Sequence, residues 1–357
     1  MNPKFRVCAS LIATSVLLGS LGLSGQVIDA STSKASVSAS QKSSKNEVVL
    51  KWNGKTLSQK GIVLHGVTYV PATALRDGLG MPLKYDAKNR TYTLGNGYNK
   101  LSAVVYDASE IGILVNGAYA GEPGGQIING RLYMPFKTIS EYMGVQGQWN
   151  PSLKTLSMTQ KKQNDIQIKS TALKKKIQGV DAVVNYPVIS GLGNAEVQAE
   201  INKVLKENAS GVITGAEGNV GTLPPSGTDF PYEFSGDYVV HYNQDGILSI
   251  TAYDYSYTGG AHGMTFRKSF TFSLKDGKQM KLGDFINMQG KNKQKMNNLV
   301  LSKLKKEGGY LGGFEGVPAD ADFYVKDNAA VLYFQLYEYT AYAYGFPEFE
   351  FKLKEWK

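Results

Sequence analysis

One segment of this chain repeats itself at a fixed offset of 64 residues, and nothing else in the sequence constrains the fold as much. Tyr69 and Tyr133, Pro71 and Pro135, Gly80 and Gly144, Tyr85 and Trp149, and Thr91 and Thr155 fall in register without a gap. Ungapped agreement at so many positions marks the duplication of one supersecondary unit. The Asn-Gly pairs in WNGK (52–55) and VNG (115–117) tolerate positive φ and predict a tight turn between two strands in each unit. The next strand ends in Tyr69-Val70-Pro71 or Tyr133-Met134-Pro135. Each proline is expected at the first helical position, where its missing N–H costs nothing. Leu75 with Leu79, and Ile139 with Met143, give i,i+4 apolar stripes. Gly80 and Gly144 stop the helices, and a closing strand follows.

The whole chain has 357 residues, so two or three domains are expected. With 42% hydrophobic and 19% charged residues it can bury cores and is not disordered throughout. The single cysteine, Cys8, excludes a disulfide framework and a cysteine-rich zinc module. His65, His241 and His262 are far apart in sequence, which leaves little for a histidine-built metal site. No cofactor, metal or catalytic residue is expected.

Residues 1–30 read as a signal peptide. Lys4 and Arg6 precede an apolar run from Val7 to Leu23, and a small-residue cleavage site falls near Ala30. An uncleaved anchor is the alternative. After cleavage no transmembrane helix is expected, and export disfavours nucleic acid as a partner. Residues 31–46, rich in Ser, Ala and Lys, read as a flexible linker.

From about residue 164 the pattern changes. Val183–Ile189 reads as a strand, followed by a helix capped by Asn194 with Val197, Ile201 and Val204 or Leu205 on one face. Gly211 to Pro231 reads as a long loop. Tyr238–Tyr242 and Ile247–Tyr257 are strands joined at Asp245-Gly246, and Phe270, Phe272 and Leu274 alternate on another. Asn292–Glu307 is helical, with Gly308 as its stop. Val331–Tyr339 reads as a central strand, and Phe349, Phe351 and Leu353 as a strand with one wet face. The fold class expected is α+β: a duplicated β-rich domain, then a two-part sheet-and-helix domain.

The motifs of the duplicated units resemble the stalk known as the copper amine oxidase N-terminal domain, over residues 47–160. That resemblance implies a spacer or wall-associated module without oxidase chemistry. The sequence has no His-x-His pair, and Asn185-Tyr186 is followed by Pro187. Residues 164–357 resemble the paired extracellular domains of the RsiV-type anti-sigma factors and PdaC-type deacetylases. Tyr186-Pro187, YTGGAHG (257–263), LGDFI (282–286), FYVKDNAAVLYFQLYEYTAYAYG (323–345) and FEF (349–351) carry it. A split into about 164–258 and 259–357 is expected. The resemblance implies a ligand-binding ectodomain for a lysozyme-like protein or peptidoglycan. The histidine-based catalytic domain of PdaC and the membrane and sigma-binding segments of RsiV have no counterpart here.

The candidate contact residues are Tyr255, Tyr257, Gly259, Gly260, His262, Tyr337, Tyr339 and Tyr342. The glycines let the loop bend tightly, and His262 would be a hydrogen-bonding tip. The alternative, a structural hairpin with His262 bonded to the backbone, is favoured because no second histidine or carboxylate cluster lies near it in sequence. Exposed tyrosines would suit glycan stacking or protein contact; buried ones are sheet packing. Gly308–Gly313 follows a helix and reads as a turn, not a phosphate loop. Charge is unevenly split: residues 31–163 hold 16 basic and 7 acidic side chains, net +9, and residues 164–357 hold 21 and 22, net −1. A basic stalk is therefore expected to hold anionic cell-wall polymers. The acidic stretch from Glu307 to Glu350 is expected to favour a cationic partner such as a lysozyme. The protein is expected to be secreted and wall-associated, and not an enzyme, with a purely structural spacer or an accessory subunit of a wall-modifying enzyme as alternatives.

Overall fold

The computed structural model describes residues 46–107, 110–224, 231–306 and 309–356. The expected signal peptide, most of the linker, and Glu307 and Gly308 lie outside the described residues. The architecture is α+β.

The duplicated region is built from β1 (Glu47–Trp52), β2 (Lys55–Leu64), β3 (Val67–Pro71), α1 (Ala72–Leu79), β4 (Leu83–Asp86), β5 (Thr91–Leu94) and β6 (Leu101–Val105). It continues through β7 (Ile111–Val115), β8 (Ala118–Tyr119), β9 (Gln126–Ile128), β10 (Arg131–Pro135), α2 (Phe136–Tyr142), β11 (Val145–Asn150) and β12 (Thr155–Gln160). Asn53-Gly54 and Asn116-Gly117 take positive φ at both positions, 47° and 81°, then 48° and 94°. That backbone twist matches the right-handed twist of the flanking strands. Pro71 and Pro135 each sit one position earlier than expected, as N-caps with ψ of 133° and 130°. They remain the last residues of their strands, so their helices begin at Ala72 and Phe136. The missing N–H is harmless there too, because intrahelical bonding is not yet required of it. Gly80 takes φ 70° and closes α1.

The units do not form two beads. Strands β3 and β10 pair antiparallel, with Tyr69 opposite Pro135, Val70 opposite Met134 and Pro71 opposite Tyr133. Since the 64-residue offset maps each residue onto its partner's equivalent, a local two-fold passes between Val70 and Met134. The sheets then exchange strands. The opening strands of the first unit lie beside the closing strands of the second, in the order β11-β12-β1-β2-β3-β10-β9. The closing strands of the first lie with the opening strands of the second, in the order β4-β5-β6-β7-β8. One core results, joining Leu50, Val70 and Leu75 to Ile113, Met134, Ile139 and Met158.

The distal region starts with β13 (Gln167–Ile177) and β14 (Val180–Ser190), then α3 (Ala195–Val220), β15 (Glu233–Gln244), β16 (Ile247–Tyr257) and β17 (Met264–Ser273). These five strands form one sheet in chain order, with β14 and β15 parallel and α3 as the crossover. Asn194 caps α3 by accepting from the amides of Glu196 and Val197. The helix continues to Val220 through the segment expected to be a loop from Gly211. Ala209, Ala216 and Val220 are buried against the sheet. That burial outweighs the cost of about 1 kcal/mol for each helical glycine. Strand β17 pairs along β16 from Met264 to Ser273, so the split expected at 258/259 would divide a hairpin.

The final unit holds α4 (Gly290–Lys306) and the sheet β18 (Phe323–Lys326), β19 (Ala329–Tyr333) and β20 (Glu348–Lys352), with β19 central. The strand expected over Val331–Tyr339 stops at Tyr333. Gln335 leaves the ladder and bonds instead to the Arg267 backbone through Nε2 and Oε1 (2.8 and 3.1 Å), and Tyr337 takes φ 64°.

The duplicated region docks on the distal sheet. The buried Asn99 amide donates to the Val240 carbonyl (2.7 Å) and accepts from the Val240 N–H (3.2 Å). Asn116 donates to the Tyr238 carbonyl at 2.9 Å, and Lys161 pairs with Asp327. His241, at a bulge in β15, stacks on Tyr324 at 3.9 Å with Tyr142 on its other flank. Burial holds its imidazole neutral, with the pKa pulled down to about 3.

Candidate functional site

The loop from Thr258 to Gly263 joins β16 to β17, and its shape follows from its glycines. Gly259 and Gly260 take φ of 99° and 91°, and Tyr257 ties the loop down by donating to the Gly260 carbonyl at 3.1 Å. Gly263 is constrained by space: a Cβ there would lie 2.4 Å from the Tyr255 ring.

His262 is exposed at the loop's end, and its ring stacks on Tyr342 with centroids 3.9 Å apart and planes 19° from parallel. Its Nδ1 lies 2.9 Å from the Gly263 carbonyl oxygen, which can only accept, so Nδ1 carries the proton. In the neutral ring Nε2 is then an acceptor, and the Tyr337 hydroxyl donates to it at 3.2 Å. Tyr342 donates to the same Gly263 carbonyl at 3.0 Å. Burial, and then the neighbouring Tyr337, raise the pKa of the Tyr342 phenol above its ordinary value. Tyr337 is 47% exposed and lies 5.6 Å from Tyr342, ring to ring.

Of the eight expected residues, His262, Tyr337 and Tyr342 converge on one exposed spot. Tyr257, Gly259 and Gly260 shape the loop, and Tyr255 packs against it at Gly263. Tyr339 belongs elsewhere: its ring meets Phe334 and Phe314 edge-on at 4.7 and 5.4 Å, on the core of the final unit. The strand expected over 331–339 would have put Tyr337 and Tyr339 on one face. The left-handed backbone at Tyr337 removes that strand.

Two features escaped the sequence reading. Arg267 lies among Phe346 (4.0 Å), Tyr253 (5.0 Å) and Tyr333 (5.7 Å) and pairs with Glu348 at 2.6 Å. It pins β17 to the final sheet. Half of the eight carboxylates of the acidic stretch have side-chain partners: Asp327 with Lys161, Glu350 with Lys326, Glu348 with Arg267, and Asp322 with the Gln335 amide. A lysine or arginine distant in sequence cannot be matched to its carboxylate without the fold.

Residues 157–265 match the family described as Deacetylase PdaC, and residues 274–354 match Protein of unknown function (DUF3298). The distal region carries a PdaC–DUF3298 domain pair. The loop with His262 falls in the PdaC part, and Tyr337 and Tyr342 in the DUF3298 part, so the site lies where the pair meets. A DUF3298-family crystal structure from Bacteroides fragilis is similar at 15% identity, covering 54% of this chain and 93% of that one, with a TM-score of 0.41. Another, from Pseudomonas aeruginosa, is similar at 14% identity with the same coverage and a TM-score of 0.40. No curated protein matches the chain.

Proposed function

We propose that this is a secreted, non-catalytic binding protein of the bacterial cell wall, whose distal region meets its ligand at the His262–Tyr337–Tyr342 face. The observation that carries this reading is the convergence of three ring side chains from two distant segments on one exposed spot. Such a face offers contact area and hydrogen-bonding groups together. The ligand proposed is peptidoglycan or a lysozyme-like protein. Three of the eight carboxylates of the 307–350 stretch already pair with cations, so ring contact supports that choice beside charge. The basic residues of the duplicated region add a weak hold on anionic wall polymers, screened over about 8 Å at physiological ionic strength.

The name of the PdaC family favours a second reading, a deacetylase. Among the described residues, no three His, Cys, Asp or Glu side chains come together in a group that could hold a metal ion. Also among them, no helix is long and apolar enough to cross a membrane. The test uses the full chain with peptidoglycan fragments and with a c-type lysozyme. One of the two should bind, His262→Ala and Tyr337→Ala should each weaken binding at least tenfold, and no acetate should be released. Acetate release would establish the enzyme reading, and binding indifferent to both substitutions would leave a spacer.

A further inference from the structure

The two faces of the five-stranded sheet are covered unequally. Helix α3 packs over β13, β14 and β15 and stops short of β16 and β17. Between the helix and the uncovered strands runs an open groove of about 710 Å³, within the usual range for ligand sites. The helical residues lining it run from Val204 to Asn219, about four turns or roughly 22 Å.

The chemistry of the lining is mixed in a specific way. Phe266 forms one wall and is 53% exposed, so a large aromatic ring meets solvent inside a concavity. Gly211 and Gly215 form part of the helical wall, and a Cβ at either would meet nothing within 4 Å. A ligand can therefore approach the helix backbone closely. The polar lining includes carboxamides, Asn208 and Gln279, and the carboxyl of Asp254. Asp254 Oδ1 is buried and accepts no hydrogen bond from the protein. Burial raises that carboxyl's pKa to about 6. Glu207 and Lys268 also line the groove, so its charge is close to balanced and a highly charged polymer is not suited to it.

We propose that this groove binds a neutral β-linked oligosaccharide, a ligand and site separate from the His262 face. A pyranose has apolar C–H faces that stack on an exposed ring, and hydroxyls that both donate and accept. Carboxamides match that double role. A β-1,4 chain is extended and lies along a straight groove beside a helix, whereas an α-1,4 chain coils away from it.

The experiment is calorimetric titration of the full chain with chitotetraose, cellotetraose and maltotetraose. At least one of the two β-linked tetramers should bind, and maltotetraose at least tenfold more weakly. Phe266→Ala should weaken binding tenfold or more. Gly215→Leu should abolish it without lowering the melting temperature, since it fills the groove and removes a helical glycine. His262→Ala should leave it unchanged, which separates this site from the face proposed above. The inference is overturned if neither β-linked tetramer binds, if maltotetraose binds equally well, or if Gly215→Leu binds normally. Loss of binding in His262→Ala alone would overturn it as well.

Discussion

The duplicated region and the distal region use similar amounts of strand to opposite ends. In the first, two copies of one unit exchange strands and share a single core, while Tyr85, Tyr106, Tyr119, Ile127, Trp149 and Leu153 stay exposed around it. In the second, one long helix covers only part of a five-stranded sheet, and the chain leaves a glycine loop and a groove at the uncovered margin. The contrast teaches that a groove and an exposed loop are left where a layer is incomplete, and under the function proposed above the duplicated region is the support. It docks on the distal region through Asn99, Asn116 and Lys161.

The largest effect expected is at the local two-fold. Met134 is fully buried, and Met134→Ala should cost about 2–5 kcal/mol in urea denaturation. Because the core is shared, hydrogen exchange should rise in β1 and β2 of the first unit as much as in β10. Faster exchange confined to the second unit would break the comparison.

Next comes the docking contact. Asn99→Ala removes both hydrogen bonds to Val240 and strands two buried backbone groups, so it should cost about 2–3 kcal/mol. A neutral result would mean that Asn99 does not hold the two regions together and that the docking rests on Asn116, Lys161 and the Tyr142–His241 contact. Gly263→Ala sharpens the other side of the comparison. The new methyl meets the Tyr255 ring, and the strain should be about 1–3 kcal/mol. It should shift the NMR signals of the His262 ring, which stacks on Tyr342 next to it.

The smallest effect is on pH dependence. The pKa of Asp254 is raised by burial to about 6, above its unfolded value. Its contribution to stability is therefore full at low pH and is lost as pH rises through about 6. Asp254→Asn should match the parent near pH 4 and exceed it by about 1–2 kcal/mol at pH 7.5. Asp237, raised to about 6 for the same reason, keeps part of the slope in that variant. Equal stability curves would show that the carboxyl near the groove is better solvated than its burial indicates.

Local chemistry made much of the fold legible. Asn-Gly and Asp245-Gly246 turns, the Asn194 cap and the alternation of Phe349 and Phe351 all follow from neighbours in sequence. Errors arose where distant partners decide. Residues 211–220 stay helical because Ala216 and Val220 find Phe234 and Ala182. Tyr337 and Tyr339 differ by two positions and have opposite fates because Gln335 bonds to Arg267. The GGAHG loop was visible from its glycines, and Tyr337 and Tyr342 were among the candidates, but nothing local separated them from Tyr339. The groove was invisible because much of its helical wall, from Gly211 onward, was read as a loop.

The central claim is that the margin of the distal sheet meets the ligand while the duplicated region supports it. Hydrogen–deuterium exchange of the full chain in 0.5 M salt, with and without whichever of peptidoglycan fragments or c-type lysozyme binds, tests this directly, since the Debye length falls to roughly 4 Å there. The expected result is new protection at 257–263 and 337–342 and none across 47–160. Protection confined to 47–160, or absent from both loop segments, would contradict the claim.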